Sequence, residues 1–157
     1  MLIRPSKTLA ATILALAAAF GSCGAQAQGN PQHPAYLHAL SDLRLAHWNL
    51  THRGGDAAVT EQESIAVAET DHAIREATRA AELDAKPVGT ADVHEDAQLD
   101  RAGALHHAQD LLAAARQDIA EREDNPRARE IQGRIVEHID RALEATRHAI
   151  FDVEHRR

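Results

Sequence analysis

Histidine is the residue type with the most chemistry to offer in this chain: 11 of 157 positions carry one, against a single methionine and a single cysteine. Imidazole beside carboxylate is a donor set that suits zinc, copper or nickel, and a carboxylate can also orient a metal-bound histidine from behind. Two segments repeat that pairing at helical spacing. His38 and Asp42 stand four residues apart in LHALSD, and His106 and Asp110 do the same in LHHAQD. Four residues is just over one helical turn, so each pair shares a helix face. Glu69-Thr70-Asp71-His72 adds one Glu-x-x-His, and His138 lies in a fourth helical stretch. The candidate metal ligands are therefore His38, His106, His72, His138, Asp42 and Asp110, with His38/Asp42 and His106/Asp110 the best pair. At ~1.5 Å of rise per residue, and with helices alternating in direction, these histidines fall roughly 16–24 Å below the first turn and form one broad layer. The competing expectation is that they are surface or structural groups. Pairs of histidine and acid at i,i+4 are ordinary on exposed helix faces, and depth along a helix says nothing of rotation about it.

Other chemistries fail particular tests. A c-type haem needs C-x-x-C-H, and the only cysteine is Cys23. A His/Met haem needs an axial methionine, and the only one is Met1; a bis-histidine haem stays open. A di-iron bundle needs two Glu-x-x-His motifs plus two further glutamates, and the fourth helix offers no interior partner for Glu69 and His72. Ser41 and Ser64 sit in ordinary helical surroundings rather than on a strained nucleophile turn. No glycine-rich phosphate loop exists. These absences lead to a non-enzymatic expectation with no catalytic residues and no obligatory cofactor.

The elements that must position the histidines are legible from apolar spacing. Tyr36, Leu40, Leu43, His47 and Leu50 advance by four, three, four and three, which predicts a helix from His33-Pro34 to about Arg53, ended by Gly54-Gly55 as a left-handed cap. Thr60 and Glu63 form a capping box for a second helix, whose seam is Val67, Thr70, Ile74, Ala77 and Ala81 and which fades near Lys86-Pro87. Pro87 to Asp100 reads as the longest irregular segment, a crossover between two helical hairpins. Leu105, Ala108, Leu112, Ala115 and Ile119 predict a third helix. Asn125-Pro126 supplies an N-cap and first-turn proline for a fourth, with Ile131, Ile135, His138, Ala142, Ala145 and Ala149 on its seam. The predicted fold is all-α: an antiparallel up-down-up-down four-helix bundle of two similar hairpins. Alanine-rich seams bring helices toward the lower end of the ~8–10 Å interaxial range and leave little room for a large ligand.

Residues 1–27 read as a signal peptide: Arg4 and Lys7, an apolar run from Thr8 to Phe20, then Ala25-Gln26-Ala27. The run is short for a membrane span. Phe20-Gly21-Ser22-Cys23 is a weaker lipidation signal. The expected location is periplasmic or secreted, with residues 28–157 as one domain. That mature chain of 130 residues carries 15 basic against 24 acidic groups, a formal charge of −9. An acidic surface disfavours nucleic acid and anionic membrane as partners and favours solubility. The expected partner is a protein or small ligand. A homodimer through an apolar strip around Leu45 and Trp48 is a further expectation.

The opening HPAYLHALSDLR, together with LDRAGALHHAQDLL, resembles small exported helical-bundle proteins of bacteria whose activity is uncharacterised. That resemblance implies an exported all-helical domain and assigns no residue a role. The leading expectation is a binding, structural or stress-accessory protein; the alternative is a transition-metal or haem-binding protein using the histidine layer.

Overall fold

In the computed structural model the described residues are 35–52, 54, 58–84, 88, 99–121 and 123–155. The leader, Cys23 and His33-Pro34 lie outside them, as does most of the predicted crossover. The described residues form four helices: α1 (Tyr36–Thr51), α2 (Glu61–Leu83), α3 (Arg101–Ile119) and α4 (Pro126–His155). Their starts follow from cap chemistry. Thr60 Oγ1 accepts the Glu63 amide at 3.1 Å while Glu63 Oε2 accepts the Thr60 amide at 2.6 Å, so the predicted capping box satisfies two backbone donors. Asp100 Oδ1 accepts the Gly103 amide at the start of α3, and Asn125 Oδ1 accepts the Arg127 amide beside Pro126 at the start of α4. Gly54 works through space and not through a left-handed φ. A Cβ there would stand 3.3 Å from the Leu99 carbonyl, so glycine lets the turn after α1 pass against the entry to α3.

Contacts run around the bundle in the order α1, α2, α4, α3, and α1/α4 and α2/α3 are the diagonals. Cross-helix bonds fix the directions. Glu69 meets His138 and Glu76 meets Arg134, so α2 and α4 are antiparallel. His38 near the start of α1 meets Asp118 near the end of α3, and His106 meets Glu154 while Arg116 meets Asp140, so α3 opposes both α1 and α4. Every neighbouring pair is antiparallel. The all-α four-helix bundle of two hairpins is as expected, but its order of directions is up-down-down-up rather than up-down-up-down. The reason lies in the crossover: α2 ends at the Tyr36 end of the bundle, whereas Leu99 reaches Gly54 at the opposite end. The chain between must return the length of the bundle. The 23 residues of α2 rise about 35 Å, and the stretch from Asp84 to Asp100 extends up to about 50 Å, ample for the return. A single long crossover is an established connection for such bundles.

The core joins all four stripes. Leu40, Leu43 and Leu50 of α1 meet Leu105, Leu112 and Ile119 of α3 and Ile135 and Ile139 of α4, while α2 contributes Ala66, Ala73, Ala77, Ala80 and Ala81. The predicted α3 seam is buried at every position. On α1 the inward place is taken by Ala46, which leaves His47 half-buried at the edge; Val67, Ile74, Ile131 and His138 are likewise half-buried. Leu45 and Trp48 are half-buried too, and Trp48 stacks on His52 at 4.8 Å. No helix among the described residues is long and apolar enough to cross a membrane.

Polar clamps close both ends. At one, buried Glu63 receives Nε and NH2 of Arg101 at 2.8 and 2.6 Å, tying the start of α2 to the start of α3. At the other, the Tyr36 hydroxyl donates to Glu123 Oε2 at 2.7 Å, and Glu123 Oε1 accepts the Asn125 amide. Burial, then the Glu123 hydrogen bond and charge, push the Tyr36 phenol well above its ordinary range. Unfolded tyrosine ionises near pH 10. Above that pH the unfolded chain releases a proton that the folded chain retains, so stability should fall as pH rises beyond about 10. Tyr36 is the only tyrosine, so tyrosinate absorbance reads it alone. It should appear only as helix is lost, and ionisation near pH 10 with helix intact would refute the burial argument.

Candidate functional site

The histidines are distributed among the grooves, not gathered in a layer. In the α1/α3 groove, His38 Nδ1 donates to Asp118 Oδ2 at 2.6 Å. In the α1/α2 groove, His47 Nε2 lies 3.3 Å from Asp71 Oδ1. In the α2/α4 groove, His138 Nδ1 donates to Glu69 Oε2 at 2.6 Å. In the α3/α4 groove, His106 Nε2 lies 2.9 Å from Glu154 Oε1. Among the described residues, each groove between neighbouring helices thus carries at least one histidine–carboxylate bridge.

Direction explains why the predicted layer breaks up. Because α3 runs with α2, His106 sits at the end of the bundle away from His38. His38 and His106 therefore do not converge. Asp110 is exposed on α3, and no described hydrogen bond or ion pair joins it to His106 or His38. His72 and His138 do meet, with ring centroids 4.9 Å apart and planes 14° from parallel. That face-to-face stack differs from the end-on approach of two axial imidazoles to a haem iron. The buried positions of the described helices are mainly alanine, leucine, isoleucine and threonine, and the glutamate among them, Glu63, is held in its clamp.

One constellation gathers three ligand residues: His38 and Asp42 from one face of α1 and Asp118 from α3, with ligand atoms all within 4.8 Å of one another. The helical spacing of His38 and Asp42 supplies two of them, as expected. The third, Asp118, was invisible to a reading in which α3 ran the other way. The site is open: the His38 side chain is 71% exposed and that of Asp118 22%. The hydrogen bond to Asp118, then the charges of Asp118 and Asp42, raise the His38 pKa above its ordinary value. Partial burial raises the Asp42 carboxyl, Asp118 reinforcing the rise and His38 opposing it. One imidazole and two carboxylates thus share one corner of the α1/α3 groove. No family model, curated protein or solved structure matches this chain.

Elsewhere the polar surface is structural. Arg134 reaches Glu76 across α2/α4 at 3.1 Å, and Arg116 grips Asp140 across α3/α4 at 2.5 Å. Gln132 Nε2 donates to the Ile119 and Glu121 carbonyls and so closes the end of α3.

Proposed function

We propose that this chain is a non-enzymatic exported bundle, periplasmic or secreted, that acts as a structural or binding accessory through its outer surface. The observation that supports the reading most is the disposition of the histidines: one bridges each groove to a carboxylate, and the interior between them is aliphatic. Groups that in an enzyme would face a substrate here fasten helix to helix. The leader supports export, and the net negative surface supports a partner other than nucleic acid.

Two measurements test this. Intact mass of the exported chain should match a start at Gln28, and a chain retained with Met1 would overturn export. The triple variant His47→Gln, His106→Gln, His138→Gln should unfold with the same cooperativity but lose stability, at about 0.2–1 kcal/mol per bridge given their partial exposure. Unchanged stability would mean that the bridges fasten nothing, and the structural reading would fall.

A further inference from the structure

We propose that His38, Asp42 and Asp118 form a surface site for a divalent transition-metal ion that links the first turns of α1 to the last turn of α3. The inference goes beyond the structural reading and does not depend on it, because the bridges that test that reading leave these three residues untouched.

Three features of the geometry carry it. The ligand atoms already lie within 4.8 Å of one another, and the closest pair, His38 Nδ1 and Asp118 Oδ2, is 2.6 Å apart. A zinc-sized ion with bonds of ~2.1 Å holds tetrahedral ligands about 3.4 Å from each other, so small side-chain rotations convert the cluster into a ligand set. The ligands also come from different origins. His38 and Asp42 are fixed relative to one another by one helical turn, and Asp118 is fixed by the packing of α3 on α1. A metal ion held there would sit between one imidazole and two carboxylates, whose negative charge attracts a divalent cation. Finally, the His38 ring stands in solvent, which gives an entry path and leaves outer coordination positions to water. Three protein ligands plus open positions describe a site that captures and releases an ion, unlike a closed four-ligand structural site.

The donor set decides the class. One imidazole with two carboxylates suits zinc, copper, nickel or cobalt, whereas calcium and magnesium favour oxygen alone. Other bridges in the bundle lack the third group: His106 has Glu154 and His47 has Asp71, and among the described residues the His38 cluster alone brings three ligand residues this close.

The test is titration of the full exported chain with Zn(II), and with Co(II) as a spectroscopic probe. One equivalent should bind ahead of weaker surface binding, with visible cobalt bands of mixed nitrogen–oxygen coordination. His38→Gln and Asp118→Asn, surface changes that leave helix content intact by circular dichroism, should each weaken that first equivalent at least tenfold. His106→Gln, at the opposite end, should leave it unchanged. A hundredfold excess of Mg(II) should not compete. The proposal is overturned if the first equivalent survives in His38→Gln, if His106→Gln weakens it equally, if Mg(II) displaces the ion, or if only weak multi-site binding appears.

Discussion

Replacing Arg101 with alanine should lower the free energy of unfolding by about 3–5 kcal/mol, the range for leaving a buried charge without its partner. The competing magnitude is that of a surface ion pair, about 0–1 kcal/mol. Burial decides between them. Glu63 has no exposed surface and the Arg101 side chain is 12% exposed, so neither charge is solvated enough for water to take the other's place. The geometry is a bidentate fork onto both carboxylate oxygens, and a third bond from Arg101 NH2 to the Ala58 carbonyl at 3.0 Å adds the turn before α2. The carboxylate hydrogen bond, with the charge of Glu63, raises the Arg101 pKa further. Without the guanidinium, Glu63 would keep the Thr60 amide but lose the two charged bonds of that fork at a fully buried carboxylate. Lysine should not restore the loss, because an ammonium cannot reproduce the planar fork. The double variant Glu63→Gln, Arg101→Met should be less damaging than Arg101→Ala alone, since it removes both charges of the buried pair together. Guanidinium unfolding followed by circular dichroism reads all three, and a loss below about 1 kcal/mol for Arg101→Ala would place this pair with ordinary surface contacts.

That clamp also shows what the sequence could and could not disclose. Thr60 and Glu63 announce a capping box at their spacing, because both partners sit within one turn. Asn125-Pro126 and the seam of α3 are local in the same sense, and each is realised. Arg101 carries no local mark; its partner is 38 positions away. The same holds for Asp118 beside His38 and for Glu123 beneath Tyr36, which depend on which helix neighbours which. A periodicity of three and four specifies that a stripe faces inward, but up-down-up-down and up-down-down-up present the same stripes. Only the length of the second connection distinguishes them, and Pro87 to Asp100 was long enough to have signalled a return along the bundle. Taking α3 in the wrong sense placed His106 beside His38 and hid Asp118. The i,i+4 pair His38/Asp42 survived that error because a helical turn is indifferent to direction.

Leu112→Ala should cost about 2–5 kcal/mol, a large part of the roughly 5–15 kcal/mol that holds a single domain folded. Leu112 is fully buried on α3, among the few large side chains in a core whose α2 face is built mainly from alanine. A core of that kind divides its labour unequally. Alanines let the backbones approach but bury little apolar area each, so the leucines and isoleucines of α1, α3 and α4 supply most of the burial. Truncating one removes transfer free energy and also opens a void, and flanking alanines have no long side chains with which to fill it. The cost should therefore fall in the upper half of the range. Ile74→Ala removes as many carbon atoms from a half-buried position on α2, where solvent and neighbouring side chains can occupy the gap, and should cost less than half as much. With one cysteine in the chain no intramolecular disulfide can offset either loss. Denaturant melts of both variants at one temperature give the comparison directly. Equal losses at the two positions would contradict the unequal core, and a Leu112→Ala loss below about 1 kcal/mol would mean that α3 does not pack where the bundle requires it.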